Sequence, residues 1–312
     1  MIRPLLVVLL LLAGCGAEEP DPVPARNAAP AADPARAAAD LFDADRAWRD
    51  LLRQVDLGPR VPGSAAARAA ADLLAAELAA SGGEVSRDRF SYRSPAGETW
   101  ELVNVLGRFG PPGPGRLLLV AHWDTRPWAD RDPVPGRREF PIPGANDGAS
   151  GVAVLLEVSR HLSAAALPRG VDILFVDGED LGTDLDPEGY FRGSRRFAGR
   201  GVEEYERAMV VDMVGDADLR IPVEPYSLQG APEVVDWVWT RAERLGVAAF
   251  VRDIGPPVLD DHIPLLEAGL PAVDLIDFDY SHWHTQKDDA RAVAPRSLAA
   301  VGRVVLSLAL VP

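Results

Sequence analysis

The stretch Val171–Asp180, with the sequence VDILFVDGED, constrains the fold more than any other part of the chain. Its first residues form a β-branched and aromatic run, which is typical of a strand buried on both faces of a largely parallel sheet. The carboxylates of Glu179 and Asp180 follow that run after Gly178. Because ligands bind at the carboxyl ends of strands in open α/β sheets, this pair is predicted to serve chemistry. A solvated acidic turn is the alternative for the pair taken alone.

Similar apolar runs predict more strands, at Leu102–Phe109, Arg116–His122, Ala208–Val214 and Ala272–Asp277. Helical spacing predicts helices at Leu41–Val55, Ala65–Ala80, Tyr190–Ala198, Pro232–Leu245 and Pro295–Leu310, with others after Val152 and before Gly269. Hydrophobic residues make up 47% of the chain, enough for one large α/β domain or two small ones. The formal charge of −15 argues against binding nucleic acid through its phosphates.

Residues 1–15 have the features of an export signal. Arg3 precedes an apolar run from Leu5 to Ala13, which is too short to span a bilayer. The run closes in Leu-Ala-Gly-Cys15, which resembles the lipobox of bacterial lipoproteins, so we expect Cys15 to be lipidated and to become the mature N-terminus. Cys15 is the only cysteine and cannot form an internal disulfide. An ordinary cleaved signal with a chance cysteine is the alternative.

Residues 16–39 are rich in Ala, Pro, Asp and Glu and have no apolar periodicity. This composition predicts a disordered tether between a membrane and a catalytic body at residues 40–312. Gly16 follows the lipidated cysteine, where an Asp would be associated with retention in the inner membrane. The expected location is therefore the bacterial cell envelope, at the periplasmic face of the outer membrane, with the lipid anchor as the only membrane contact.

Polar residues stand at the ends of other predicted strands. His122 ends the strand RLLLVAH, and the His-x-Asp spacing places Asp124 on the same face, where it can orient the imidazole of a metal ligand or substrate contact. Asp212 interrupts the apolar run AMVVDMV, and a buried charge requires a partner or a cation. An ordinary core histidine and a surface aspartate are the alternatives.

Two loops carry further candidates. The segment GANDGASG places Asp147 at the start of a buried helix, and a role as N-cap alone would not call for the surrounding small residues. The aperiodic segment Arg126–Pro143 precedes it, and loops of this length are usually functional or disordered. In the later loop DYSHWHTQKDD, His282 and His284 can both bind metal, and Trp283 between them indicates the lip of a pocket.

These motifs together resemble the M28 family of zinc peptidases. Within that family they are most similar to the bacterial glutaminyl-peptide cyclotransferases, through the segments AHWDTRPWADRDP, FVDGEDLG, YFRGSRRFA, VVDMVG, DDHIP and YSHWHT. The resemblance covers the chain from about Leu41 to the C-terminus. It implies a single catalytic domain over residues 40–312, with a three-layer α/β/α fold around a mixed, mostly parallel central sheet.

The resemblance also implies a site. One zinc would be held by Asp147, Asp180 and His284, with an open fourth position, and Glu179 would be the acid/base. Asp260 would share a hydrogen-bond network with Asp212 and the base. Trp283 would wall a pocket for a glutamine side chain, and His122 would contact the substrate. The Trp-rich loop around Trp123 and Trp128 is also in the style of the bacterial cyclases.

Peptide and protein N-termini would be the substrates, with N-terminal Gln converted to pyroglutamate. The alternative within the family is a dizinc aminopeptidase, in which His122 and Asp212 hold a second zinc shared through Asp147. A lipoprotein that only binds peptides is a third possibility, and the presence of Glu179 with every ligand position argues against it. Two residues depart from the animal cyclases: Asp180 replaces a Glu, and Asp274 replaces a network histidine.

Overall fold

The central sheet has a parallel body and an antiparallel edge in the computed structural model, which describes residues 33–312. The strands of this part of the chain are β1 (Glu84–Arg93), β2 (Thr99–Phe109), β3 (Arg116–His122), β4 (Val171–Val176), β5 (Tyr205–Asp212), β6 (Ile221–Val223), β7 (Phe250–Ile254) and β8 (Ala272–Ile276). Six of them lie in the order β1-β2-β4-β3-β5-β8, and β6 pairs with β7 in a small separate sheet. Strands β4, β3, β5 and β8 run parallel, whereas β2 is antiparallel to both β1 and β4.

Helices cover both faces of this sheet. Those of the described residues are α1 (Pro34–Ala39), α2 (Ala44–Val55), α3 (Ala65–Ala80), α4 (Ala149–Leu162), α5 (Arg192–Ala198), α6 (Pro225–Gly230), α7 (Pro232–Leu245), α8 (His262–Glu267) and α9 (Pro295–Leu310). Successive residues of a strand point to opposite faces. Accordingly, Leu117 and Leu119 of β3 join the core beneath α3, α4 and α9, while Leu118 and Val120 join a second core with Leu265 of α8. The predicted three-layer fold with a mixed, mostly parallel sheet is confirmed.

The predicted strands differ from the observed ones mainly at the edge of the sheet. Every residue of β3 and of β4 is buried, as their continuous apolar runs indicate. Strand β1 has no such run, because its sequence EVSRDRFSYR belongs to an edge strand with charged residues facing solvent. Its ten residues are nevertheless paired with β2 along their whole length. This pairing depends on backbone hydrogen bonds, and the charged side chains of β1 give no sequence signal for it.

The predicted tether of residues 16–39 is wrong at its C-terminal end. Residues 34–39 form helix α1, which Asp33 caps by accepting a hydrogen bond from the backbone N–H of Ala35 (3.0 Å). Ala39 is fully buried, and α1 contacts α9 and α7. Alanines that resemble a low-complexity linker in the sequence are small enough to pack between two helices. The compact unit therefore begins at Asp33 and not at residue 40.

The predicted signal peptide, Cys15 and residues 16–32 of the predicted tether lie outside the described residues. Within residues 33–312, no helix has both the length and the hydrophobicity needed to cross a bilayer.

Candidate active site

The carboxyl ends of the parallel strands bring the predicted site residues together. His122 and Asp212 are the last residues of β3 and β5, and Glu179 follows β4 after a turn in which Gly178 has a φ of 73°. Asp147 precedes α4, and His284 lies in the loop after β8. Side chains from segments that are far apart in the sequence thus meet at the carboxyl ends of the parallel strands, as expected for an open α/β fold.

Asp147, Asp180 and His284 form a buried group whose potential ligand atoms all lie within 4.8 Å of one another. The His284 Nε2 atom is 3.4 Å from Asp180 Oδ1 and 3.7 Å from Asp147 Oδ2. Tetrahedral zinc with ligands at about 2.0–2.1 Å sets neighbouring ligand atoms about 3.3 Å apart, so this spacing suits zinc. In addition, Asp180 Oδ2 is buried without a hydrogen bond. Such an oxygen is costly unless a cation or proton satisfies it.

The loop before α4 brings Asp147 to this group through close backbone packing. The N-cap residue of α4 is Gly148, with a φ of 100°, and it has no side-chain capping bond, so the N-cap role considered for Asp147 is excluded. A Cβ on Gly148 would lie 2.4 Å from the carbonyl oxygen of Asp124, and one on Gly151 would lie 1.9 Å from that of Val211. The small residues of GANDGASG are therefore needed for contact between α4 and the strand ends.

His122 lies in a second buried group, with Asp147 and Asp212. Its Nε2 atom is 3.0 Å from Asp212 Oδ1 and 3.2 Å from Asp147 Oδ1. Burial alone would lower the pKa of His122, but the carboxylates of Asp212, Asp124 and Asp147 raise it well above its ordinary value. With 2% of its surface exposed, His122 is not among the residues that line the cavity. Carboxylates thus surround the imidazole, and the predicted substrate contact of His122 stays a prediction.

Glu179 has the environment of a residue that binds a proton strongly. Burial raises its pKa well above the ordinary value, and the charges of Asp180, Asp260 and Asp261 add to this effect, while His122 opposes it. The backbone of the carboxylate pair is fixed by Asp124, whose oxygens accept the N–H groups of Glu179 (3.2 Å) and Asp180 (3.4 Å). Asp124 thus holds the turn after β4, besides lying 3.6 Å from His122 Nδ1.

Asp260 links the cavity to a further buried group. Burial and the charge of Asp212 raise its pKa to about 6, and its carboxylate lies within 4.8 Å of His262 and Asp274. His262 Nε2 is in turn 3.2 Å from Glu224 Oε2. Burial and Asp260 likewise raise the pKa of Asp274 well above its usual value. The buried group around Asp260 therefore includes two residues that the sequence does not point to, His262 and Glu224, while the hydrogen-bond network of Asp260 with Asp212 and the base stays a prediction.

The cavity above these groups has a volume of about 470 Å³. Asp147, Glu179, Asp180, Asp212 and Asp260 line its polar end, and its walls include Phe191, Met213, Val258, Ile276, Phe278 and Trp283. The Trp283 ring lies on that of His284, with centroids 3.9 Å apart. Trp123 belongs instead to the main core, and Trp128 lines a neighbouring groove, so neither walls this cavity. His282 packs edge-on against Tyr280.

Backbone strain is concentrated around this cavity. Among residues 33–312, the non-glycine residues with positive φ are Phe191 (57°), Met213 (45°) and His284 (55°), and all three line the cavity. The left-handed conformation costs an ordinary residue about 1–2 kcal/mol. Strain of this kind persists where the surroundings hold it and is typical of functional sites.

Two residues that support the site are not predicted from the sequence. Asp288 accepts the N–H groups of Asn146 (2.8 Å) and Asp147 (3.1 Å), and burial together with Asp147 raises its pKa to about 7. Arg60 is fully buried and donates to the carbonyl groups of Pro143 (2.8 Å) and Gly144 (2.6 Å). Burial lowers the pKa of Arg60 to about 10, and three nearby aspartates oppose that effect. Neither residue lies in a pattern of spacing that points to the site.

The sequence pattern of peptidase family M28 matches residues 104–309. The chain belongs to peptidase family M28. It is similar to the bovine (Bos taurus) glutaminyl-peptide cyclotransferase-like protein, with 26% identity over 85% of this chain and 74% of that protein. Solved structures that share the fold include the following two. Bacteroides thetaiotaomicron glutaminyl cyclase, bound to N-acetylhistamine, has 33% identity and a TM-score of 0.84, and the match covers 87% of this chain and 98% of that one. A Zn-dependent exopeptidase from Parabacteroides distasonis has 36% identity and a TM-score of 0.83, over 87% of this chain and 99% of that one.

Proposed function

We propose that this M28 enzyme is a zinc-dependent glutaminyl-peptide cyclotransferase, which converts the N-terminal Gln of peptides and proteins to pyroglutamate with release of ammonia. The observation that carries the proposal is the contact between Trp283 and His284 at the wall of the cavity, 3.9 Å between ring centroids. A flat aromatic wall directly beside the proposed metal ligand suits a planar carboxamide. Similarity to a solved glutaminyl cyclase supports the same reaction.

Asp147, Asp180 and His284 would hold one zinc ion. When bound, zinc supplies Lewis-acid polarisation of the carboxamide oxygen of the substrate. The other groups of the site are side chains that bind, orient or move protons. Trp283 and Phe278 enclose the glutamine side chain, and the apolar walls exclude water from the reacting atoms.

Glu179 is the proposed acid/base. The α-amine of the substrate attacks its own side-chain carboxamide carbon, so that a carbon–nitrogen bond closes the ring while the bond to the amide nitrogen breaks. Glu179 accepts a proton from the attacking amine and delivers it to the leaving nitrogen, which departs as ammonia without consumption of water. Burial and the charge of Asp180 raise its pKa above the ordinary value, which favours acceptance of a proton at this position. Asp212 and Asp260, which also line the cavity, accept hydrogen bonds from the amine and orient it.

A dizinc aminopeptidase is the second candidate, because one specific observation favours it. His122, Asp147 and Asp212 form another group with the spacing of metal ligands, and Asp147 belongs to both groups. The Zn-dependent exopeptidase with the same fold supports this alternative. In that case Glu179 would activate water for attack on the first peptide bond.

Mass spectrometry distinguishes the two reactions. The purified protein is incubated with a Gln-initiated and a Leu-initiated peptide, and its zinc content is measured on the same sample. Loss of ammonia from the Gln peptide, an intact Leu peptide and about one zinc per chain are the expected results. Release of free Leu with about two zinc ions would refute the cyclase proposal. Competition by N-acetylhistamine, the compound bound to the solved cyclase, is a further check on the cavity.

We also propose that the enzyme is a lipoprotein of the bacterial cell envelope, anchored through Cys15. Metabolic labelling with a radioactive fatty acid is expected to mark the expressed full chain and not its Cys15→Ser variant. Equal labelling of the two proteins would refute the anchor.

A further inference from the structure

The segment Arg126–Pro143 lies directly against the proposed zinc ligands. Arg126 is buried, and its Nη1 atom donates to Asp180 Oδ1 (2.8 Å) and to the backbone carbonyls of Asp180 (3.1 Å) and Gly182 (3.2 Å). Its other nitrogens donate to Asp130: Nε to Oδ1 (2.7 Å) and Nη2 to Oδ2 (3.3 Å). One guanidinium therefore joins a zinc ligand to a second carboxylate in the same loop.

Asp130 faces the other side of the site. Its Oδ1 atom lies 3.3 Å from His284 Nδ1, close enough for a charge contact although the imidazole N–H is not aligned for a hydrogen bond, while His284 Nε2 faces Asp147 and Asp180. The two nitrogens of the imidazole thus have different environments, a carboxylate beside Nδ1 and the metal group beside Nε2. A histidine that binds a metal through one nitrogen commonly directs the N–H of the other towards a carboxylate, which fixes the tautomer and the ring orientation.

Backbone contacts keep this arrangement in register. The N–H of Arg131 donates to the carbonyl of His284 (3.2 Å), and the N–H of Gln286 donates to Asp132 Oδ2 (3.0 Å). The base of the segment is closed by the N–H of Ile142, which donates to the carbonyl of Arg126 (3.2 Å). These bonds join the segment to the backbone of the loop that carries His284, whereas Arg126 and Asp130 lie against the side chains of the metal group.

We propose that Arg126 and Asp130 are positioning residues for the metal, which clamp Asp180 and His284 in the orientation that binds it. In the metal-bound protein Asp130 would accept the N–H of His284 Nδ1 and so leave the lone pair on Nε2. Arg126 holds Asp180 through Oδ1, the oxygen that also faces His284 Nε2, and the buried Oδ2 has no hydrogen bond. The inference rests on the zinc site of the proposed function, but it does not depend on which reaction that site catalyses.

Zinc affinity tests the clamp without an assay of activity. The metal is removed from the purified full chain and from its variants, and zinc is titrated back in competition with a chromophoric chelator at fixed pH. Asp130→Asn keeps the shape of the side chain and removes its charge, so it is expected to weaken zinc binding by about 10–100-fold. Cobalt provides a second readout, since its visible spectrum reports ligand geometry and is expected to change in this variant.

Asp132→Asn is the matched control. Asp132 is in the same segment and is buried, but it accepts backbone N–H groups of Val134 (2.8 Å) and Gln286 (3.0 Å). The control is expected to loosen the segment and to keep zinc affinity within about threefold of the wild type. Melting temperatures of the metal-free proteins show whether either variant is misfolded.

Zinc affinity of Asp130→Asn within twofold of the wild type would overturn the proposal. An equal loss in Asp132→Asn would also overturn it, because general order of the segment would then explain the effect. If the peptide assay shows no cyclisation but Asp130→Asn still loses zinc, the proposed reaction fails and the clamp stands.

Discussion

Replacing Glu179 with Gln separates proton transfer from folding and from metal binding. The change keeps the size of the side chain and removes its ability to accept and return a proton. The N–H of Glu179 is held by Asp124, and its carbonyl accepts the N–H of Phe191 (3.0 Å), so the backbone keeps its anchors. The nearest charged partner of the carboxylate is His122 Nδ1, at 3.9 Å. No short side-chain bond is therefore lost.

The size of the effect follows from what remains in the cavity. Positioned acid–base catalysis typically contributes about 10²–10⁴-fold to a rate. Asp260 lines the same cavity and has a pKa raised to about 6 by burial and by Asp212, so it replaces part of the function of Glu179. We therefore expect kcat to fall by about 10²–10³-fold, which corresponds to roughly 3–4 kcal/mol of transition-state stabilisation. Melting temperature is expected not to fall, because one of several mutually repelling carboxylates has been removed.

The assay is ammonia release from a Gln-initiated peptide at saturating zinc, with metal content and melting temperature measured on the same preparations. Glu188→Gln is the matched control, since Glu188 lines the mouth of the same cavity and is exposed. It makes the same change in charge and is expected to leave kcat within about threefold of the wild type. Activity of Glu179→Gln within tenfold of the wild type would refute the assigned role, as would an equal loss in the control.

Three other predictions address the cavity wall, the packing and the pH dependence. Trp283→Leu is expected to raise KM for the Gln peptide about tenfold with little change in kcat, because about 1.4 kcal/mol of binding free energy from the aromatic contact is lost. A fall in kcat alone, measured by steady-state kinetics, would contradict this prediction. Gly151→Ala is expected to destabilise the protein by about 3 kcal/mol in urea unfolding, since its Cβ would meet the carbonyl oxygen of Val211. The control is Gly136→Ala, which has open space around it and is expected to change the free energy of unfolding by less than about 0.5 kcal/mol. Burial raises the pKa of Asp277 to about 6, so the folded state binds a proton at Asp277 more tightly than the unfolded state does. The protonated carboxyl therefore stabilises the folded state at low pH, and this stabilisation is lost as pH rises towards 6. Asp277→Asn is therefore expected to flatten the fall of melting temperature between pH 4 and pH 7, and an unchanged slope would contradict the assignment.

The sequence predicts the parts of the structure in which local pattern and burial agree. Strands β3 and β4 are buried along their whole length, so their apolar runs identify them and place His122 and Glu179 at the sheet edge. The supporting residues depend on contacts between distant segments. Arg60 reaches the carbonyl of Gly144 across 84 positions, and Asp288 reaches the N–H of Asn146 across 142. A buried arginine and a loop aspartate look like surface residues in a sequence, because only the folded chain reveals what surrounds them.

The environment of His122 illustrates the same limit. Its position at the end of β3 is predicted from the sequence, but its burial depends on how Asp147 and Asp212 pack around it. Helix α1 is buried although its sequence does not predict burial. Its alanines show little hydrophobic periodicity, and they are buried because α7 and α9 lie against them. Strand ends are therefore predictable from sequence, whereas the direction in which each side chain faces is not.

Asp147 turns one oxygen towards His284 and the other towards His122. Because a single carboxylate belongs to both groups, the described residues offer ligand positions for one metal ion or for two. These ligand positions therefore fit both proposed reactions, and the choice between them falls to residues of the cavity wall such as Trp283 and Phe278.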